Sequence, residues 1–281
     1  MKKRRFLLGA AGIALAGWLI WGNSALQISE YDIYSSRLPR EFEGFRIAQI
    51  SDLHNAEFGT GNKNLLTMLK NAQPDIIVLT GDLIDCRNLN IQVAVSFAAE
   101  AVKIAPCYFV AGNHEARIPE LPELLTGLAQ AGVTILRNEK VALTRDRDTV
   151  TLMGVDDPTF VVDYMTGDCR PVMTEALSDL MAGEENYTIL LSHRPEWFAL
   201  YRDFGVDVTF SGHAHGGQFR LPFIGGMIAP NQGFFPQYDA GVFTEKGCSM
   251  VVSRGLGPSI IPLRINNRPE LVVAELHRQE A

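Results

Sequence analysis

The chain has 281 residues, of which 47% are apolar and 20% charged, so it is long enough to bury a large core as one α/β domain. Its 25 basic and 32 acidic residues give a net charge of −7. That balance argues against a nucleic-acid-binding protein, which needs a basic face for phosphate contacts. No CxxC pair or close-spaced framework occurs among Cys86, Cys107, Cys169 and Cys248, although a Cys86–Cys107 or Cys169–Cys248 disulfide stays open in an oxidising compartment.

Residues 1–25 form a separate N-terminal segment. Four basic residues, Lys2 to Arg5, precede an uncharged apolar run from Phe6 to Trp21, which reaches the length of a membrane span if it continues to Ile28. The basic flank predicts that the N-terminus is cytoplasmic and that the following domain, residues 26–281, lies outside the membrane. We therefore predict a single-pass anchor in the cell membrane.

Two other fates of this segment remain open. A cleaved signal peptide would leave an exported protein, although the best cleavage site, Asn23-Ser24-Ala25, is a poor one. The Arg4-Arg5 pair also partly resembles a twin-arginine export signal, but an ordinary basic flank explains it as well. Trp18 and Trp21 suit an interfacial anchor and favour the uncleaved form.

Five short apolar runs, typical of buried strands, each end in polar residues. The runs are Phe45–Ile50, Asp75–Thr80, Cys107–Ala111, Tyr187–Ser192 and Val206–Phe210, and they end at Ser51-Asp52-Leu53-His54, Gly81-Asp82, Gly112-Asn113-His114-Glu115, His193 and Ser211-Gly212-His213-Ala214-His215. Sites of layered α/β proteins assemble at the carboxyl ends of strands, so we expect these clusters to meet. Five of the six histidines lie in them, and His277 is the exception.

The remaining predicted elements fit a layered α/β fold. A first strand is predicted at Leu26–Tyr34, and helices are predicted at Asn62–Asn71, Ile91–Lys103, Leu121–Ala131 and Pro195–Phe204.

The ordered motifs Asp52-x-His54, Gly81-Asp82-x-x-Asp85, Gly112-Asn113-His114-Glu115, His193 and Gly212-His213-x-His215 resemble those of the calcineurin-like metallophosphoesterases. Further similarity is to the bacterial membrane-associated branch, which includes exported cell-envelope phosphoesterases; it lies at Gly212–Gln218, Pro236–Gly241, Ser253–Gly257, Pro262–Arg264 and Asn267–Glu270. The resemblance implies a four-layer α/β/β/α sandwich of two sheets covered by helices. It also implies a phosphoric ester hydrolase, either a phosphatase or a phosphodiesterase.

The resemblance further implies two divalent metal ions. One would be held by Asp52, His54, Asp82 and His215, and the other by Asp82, Asn113, His193 and His213, with Asp82 bridging. Carboxylate, imidazole and amide ligands suit manganese, zinc, iron or magnesium. Such a pair clamps phosphoryl oxygens and acidifies a water into the attacking hydroxide. His114 would act on the substrate, as a charge stabiliser or proton donor.

Several other residues have less certain roles. Asp85 and Glu115 are expected to form hydrogen bonds around the site, Arg254 and Arg264 could pair with substrate phosphate or with carboxylates, and Asp156 and Asp157 are left out of the site. Residues 219–228 are apolar and rich in turn residues. They could rest on a membrane or hold an acyl chain, but a loop that packs on the sandwich and frames the site is the favoured interpretation.

The expected substrate is a phosphorylated small molecule or a lipid-linked phosphate at the cell envelope. One alternative is a cytoplasm-facing pyrophosphatase of UDP-diacylglucosamine-type lipids, which would contradict the charge bias. Another is a non-catalytic scaffold of the same fold, although scaffolds usually lose ligands. A nuclease is disfavoured by the net charge.

Overall fold

The computed structural model describes residues 2–163, 167–259 and 261–279, with side chains from residue 12 onward. The first helix, α1, is Lys2–Ser24. Among the described residues no helix combines the length and apolarity that crossing a bilayer requires. Residues 1–11 of the predicted anchor lie outside the described side chains, and the anchor stays a prediction.

Two six-stranded sheets form the centre of the molecule. The first has the order β1-β16-β2-β3-β4-β5, and its strands are Gln27–Ser35 (β1), Phe45–Ile50 (β2), Ile76–Thr80 (β3), Cys107–Val110 (β4), Thr134–Ile135 (β5) and Glu270–Arg278 (β16). The second has the order β14-β15-β9-β8-β7-β6, and its strands are Glu139–Arg145 (β6), Asp148–Gly154 (β7), Tyr187–Leu191 (β8), Val208–Ser211 (β9), Gly241–Glu245 (β14) and Cys248–Val252 (β15).

Helices cover the outer face of each sheet. They are Lys63–Asn71 (α2), Ile91–Ala101 (α3) and Leu121–Ala131 (α4) on the first sheet, and Arg170–Met181 (α5) and Phe198–Asp203 (α6) on the second. The predicted helix Pro195–Phe204 begins instead as a 3-10 turn, Pro195–Trp197, which continues as the α-helix Phe198–Asp203. Other 3-10 turns are Arg40–Phe42, Thr60–Asn62, Glu115–Arg117, Pro158–Phe160 and His215–Gly217.

The core has three parts, which correspond to the spaces between the four layers. In β3, Ile76 and Val78 face the second sheet while Ile77 and Leu79 face the helices. Both faces of the strand are buried, so its sequence is a continuous apolar run. The predicted α/β/β/α sandwich is therefore the fold of this chain.

Strand direction brings the predicted clusters to one edge. β2, β3 and β4 are mutually parallel, as are β7, β8 and β9. Beyond β9 the chain makes two small hairpins, Arg220–Leu221 (β10) with Gly225–Gly226 (β11) and Ile228–Ala229 (β12) with Gly233–Phe234 (β13). The C-terminal strand β16 pairs parallel with β1 and antiparallel with β2. β1 therefore starts at the edge where β2 ends.

Candidate metal centre and active site

Seven polar side chains from both sheets converge at this edge. Asp52, His54, Asp82 and Asn113 follow strands of the first sheet, and His193, His213 and His215 follow strands of the second. All seven are buried, with 5% exposure or less. They form two overlapping groups.

The first group surrounds Nε2 of His54. This nitrogen lies 3.3 Å from Nε2 of His215, 3.9 Å from Oδ1 of Asp52 and 3.7 Å from Oδ2 of Asp82. Nε2 of His215 lies 3.3 Å from Oδ1 of Asp52. Ligands about 2.1 Å from a shared cation are separated by roughly 3–3.5 Å, so the spacing fits a metal better than a set of hydrogen bonds.

The second group shares Asp82. Nε2 of His193 lies 3.2 Å from Oδ2 of Asp82, and the His213 ring lies within reach of both. Nδ1 of His193 is 2.7 Å from the Thr80 carbonyl, which can only accept a hydrogen bond. That contact leaves the lone pair of a neutral His193 ring on Nε2, toward Asp82.

Unpaired buried atoms test whether a metal fits. Among the described side chains, the Asn113 amide oxygen and Nε2 of His193 are buried without a hydrogen-bond partner. Such atoms are rare because each costs the free energy of its lost hydration. The amide oxygen in particular is a ligand for hard cations, so the donor set fits metal binding.

The backbone at this edge is held in an uncommon conformation. Asp52, His54, Asp82, His213 and His215 all have positive φ angles, between 45° and 63°. Left-handed non-glycine residues store strain and concentrate at functional sites. Gly212 is needed for a different reason, since a Cβ there would lie 1.9 Å from Oγ of Ser51.

A model of the calcineurin-like phosphoesterase family matches residues 45–217 of this chain, which include all seven side chains. The chain belongs to that family. It is a hydrolase of phosphoric esters, and the family typically binds two divalent metals.

Similar proteins extend this match over almost the whole chain. An uncharacterized metallophosphoesterase of Bacillus subtilis, YkuE, is 30% identical and covers 98% of both chains. The phosphodiesterase YaeI of Escherichia coli is also 30% identical, over 83% of this chain and 82% of its own. Among solved structures, TT1561 of Thermus thermophilus is similar in fold, with a TM-score of 0.52 at 12% identity over 75% of this chain and 90% of that chain.

Glu115 binds the backbone of this phosphoesterase on either side of Asp82. Its buried carboxylate accepts hydrogen bonds from the N–H groups of Asp82 and Leu83, each at 2.8 Å, and from that of Gly112, also at 2.8 Å. Glu115 therefore joins the ends of β3 and β4 and positions the shared carboxylate. This fits the expectation that it forms hydrogen bonds around the site.

His114 lies on the wall of the cavity beside the two groups. The Cys86 N–H donates to Nδ1 of His114 at 3.1 Å, which places the proton of a neutral ring on Nε2. Nε2 lies 4.0 Å from Oδ2 of Asp82, and the ring meets His54 edge-on. Asp85, 3.5 Å from Nδ1, also holds Arg87.

The pKa shifts at the site reflect the interaction of the buried carboxylates with nearby histidines. Burial opposes protonation of His193, yet Asp82 and Asp52 raise its pKa to about 10. Burial would raise the pKa of Asp82, but His193 holds it well below its usual value. At His54 burial prevails and lowers the pKa to about 3, so its ring is neutral and able to bind a metal.

The site opens into a cavity of about 670 Å³. Besides the histidines, its lining includes Arg87 and Arg117, which the sequence analysis did not assign to the site. Their only signal in the sequence was their position, since Arg87 lies two residues after Asp85 and Arg117 two residues after Glu115. Arg254 and Arg264, considered there as phosphate contacts, do not line it: Arg254 faces Glu270, and Arg264 is buried among backbone carbonyls.

A buried ion pair supports the second group from behind. Arg194 contacts Asp157 through Nε at 2.5 Å and Nη2 at 2.9 Å, and its Nη1 lies 3.3 Å from Nε2 of His213. Asp157 was left out of the predicted site. In the structure it binds Arg194, which in turn lies beside the candidate ligand His213. Asp156 turns away and pairs with Arg137. All four cysteines are free.

Proposed function

We propose that this phosphoesterase is a dinuclear enzyme that hydrolyses phosphodiesters. Asp52, His54, Asp82 and His215 would hold one divalent cation, and Asp82, Asn113, His193 and His213 the other. The observation that carries the proposal is the convergence of these buried side chains: Oδ2 of Asp82 lies 3.2 Å from Nε2 of His193 and 3.7 Å from Nε2 of His54.

The bound cations would supply charge to the phosphoryl oxygens and an acidified water. The chain's own residues do the rest. His114 presents its Nε2 proton to a phosphoryl or leaving-group oxygen, while Arg87 and Arg117 add positive charge at the wall of the cavity. Glu115 keeps Asp82 in place between the two ligand sets.

A diester substrate is supported by two features. The cavity, at about 670 Å³, is larger than a phosphate group alone fills, and the E. coli relative YaeI is named a phosphodiesterase. The test compares bis-p-nitrophenyl phosphate with p-nitrophenyl phosphate, using protein loaded with manganese, zinc, iron or magnesium. Faster turnover of the monoester would contradict the diester assignment.

Metal content gives a test that does not depend on turnover. We expect about two metals per chain in the loaded protein, loss of activity on chelation, and Asp82→Asn to lose metal from both sites because the carboxylate is shared. Asp156→Asn, a carboxylate paired to Arg137 outside the site, is the matched control. Two metals at full occupancy in Asp82→Asn would show that Asp82 does not bridge.

The cell-envelope location is also part of the proposal, and it rests on the basic residues 2–5 ahead of an uncharged apolar run. An alkaline phosphatase reporter fused after Ala281 should be active, and a reporter that folds only in the cytoplasm should be inactive. The reverse pattern would favour the alternative of a cytoplasm-facing lipid pyrophosphatase.

A further inference from the structure

Large apolar side chains are exposed on the two hairpins beside the cavity. Phe223 is fully exposed, and Phe234 is 74% exposed. We define the apolar rim as Leu221, Phe223, Ile224, Phe234, Phe235 and Ile261, all of which are exposed. A soluble surface seldom clusters so many large apolar groups without a binding partner.

The apolar rim is fixed to the catalytic edge. Asn231, at the tip of the β12–β13 hairpin, places Oδ1 2.8 Å from Nε2 of His213, and Pro230 lines the cavity. The Met227 N–H donates to the Gly217 carbonyl at 3.0 Å. Whatever the rim contacts is therefore held next to the cavity.

Helix α1 ends beside the same hairpins. Asn23 donates to the Arg264 carbonyl at 3.0 Å and accepts from the Arg264 N–H at 2.6 Å, and Arg268 lies 4.5 Å over the Trp21 ring. The segment around Arg264 is bonded in turn to the start of β10, through Arg220 N–H and the Ile265 carbonyl at 3.0 Å.

The described part of α1 continues the apolar surface. Residues 12–24 carry no charge, and Ile13 and Ile20 are largely exposed. Because β1 begins where β2 ends, the helix meets the domain at the catalytic edge and not at the opposite end of the sheet.

The charged groups beside the rim are paired or buried. Arg220 forms an ion pair with Asp239 at 2.9 Å, Arg264 is buried among backbone carbonyls, and Arg268 lies over the Trp21 ring. Apolar tips next to arginine and tryptophan are the composition of a surface that lies in the headgroup region of a bilayer.

We propose that the apolar rim rests on the surface of a lipid bilayer, so that the cavity opens toward the headgroup layer. The rim inserts its side chains at the interface, and the end of α1 lies along the same plane. The rim would bind lipid whether or not the site is catalytic. Only the idea that the site reaches a phosphate carried by a lipid rests on the proposed function.

Hydrogen–deuterium exchange of the full chain tests the contact. With vesicles of phosphatidylcholine and phosphatidylglycerol, we expect protection of residues 219–236 and 261–263. The turn of the β6–β7 hairpin, at the opposite end of the second sheet, should not change. Protection confined to residues before 26 would overturn the proposal. Protection without vesicles that rises with protein concentration would identify a second copy as the partner instead.

A triple variant tests the rim itself. Phe223→Ser, Phe234→Ser and Phe235→Ser together should weaken binding to these vesicles at least about tenfold, because they remove the inserted area. Tyr34→Ser, an exposed ring at the far end of β1, should bind normally. Both should hydrolyse soluble bis-p-nitrophenyl phosphate like the unaltered chain. If the unaltered chain binds vesicles but cleaves no diester, the proposed function fails and the lipid contact stands. If the triple variant binds vesicles as well as the unaltered chain does, the proposed contact between the rim and lipid is wrong.

Discussion

Single residues at the catalytic edge combine chemistry with unfavourable backbone geometry. Asp52, Asp82 and His215 are left-handed although none is glycine, and Asp82 also accepts the His114 N–H at 2.8 Å. That bond connects the shared carboxylate to the backbone of the residue proposed to touch substrate. A substitution at His114 therefore tests the role of the ring, and not the position of the metal ligands, only if the backbone of His114 stays in place.

His114→Ala keeps that backbone bond and removes the ring. We expect kcat to fall by about 10²–10⁴-fold with metal content near normal. The loss should be smaller for nitrophenyl substrates, whose leaving group needs little protonation, than for alkyl esters. His277→Ala, outside the site, is the control. Equal losses across the series would indicate charge stabilisation by His114, and loss of a metal would place it among the ligands.

At the scale of elements, the second ligand group depends on contacts between loops that are far apart in sequence. Arg194 follows β8 directly after His193, while Asp157 follows β7, and the fully buried pair joins the two strand ends. Without Asp157, Arg194 would keep Glu196, 3.4 Å from its Nη1, but would lose the carboxylate that binds its Nε and Nη2 in a place that water cannot reach.

Asp157→Ala should reduce the free energy of unfolding by roughly 3–5 kcal/mol, measured by urea titration. The matched control is Asp156→Ala, whose partner Arg137 is about a third exposed; its loss should stay within about 1 kcal/mol. Equal losses from the two variants would show that the Arg194–Asp157 pair adds no more than a surface pair.

The β1–β16 edge carries a pH-sensitive contact away from the metals. The hydrogen bond that His277 donates to the Glu43 carboxylate, with Asp32 and Glu275 nearby, raises the pKa of His277. Its stabilisation is complete below the unfolded pKa of about 6.5 and is lost as pH rises through the higher folded pKa. His277→Gln should therefore lower Tm by about 1–2 °C at acidic pH and by less at alkaline pH. A constant difference would contradict this.

How far the sequence predicts these elements depends on the range of the interactions. The strands that end in ligands were predicted because their apolar runs and polar ends are local patterns. The position of β16 between β1 and β2 was not predicted, because a pattern in residues 270–278 does not say which distant strand it pairs with. Asp157 was missed for the same reason: its partner lies 37 positions later, and only the fold brings them together.

On the scale of the whole molecule, both proposed metals connect the two sheets, since each takes ligands from both. The core between the sheets therefore sets the spacing of the ligands. Leu152 is fully buried in that core, in β7. Leu152→Ala should lower stability by about 2–5 kcal/mol and also weaken metal binding, although it touches no ligand. Leu152→Met, which conserves volume, should change both far less. Normal metal affinity in a folded Leu152→Ala protein would show that packing between the sheets does not set the spacing of the ligands.

The pair of hydrogen bonds between Asn23 and the backbone of Arg264 bears on whether the N-terminal segment is removed. Ala25, at the candidate cleavage site, donates its N–H to the Trp21 carbonyl, and its own carbonyl accepts from Arg268 at 2.9 Å. A peptidase needs that backbone extended and free of hydrogen bonds, and the folded domain holds both the N–H and the carbonyl of Ala25 in such bonds. Processing and folding thus compete in time: a chain cut before β16 takes its place would lose the helix, and one that folds first would keep it.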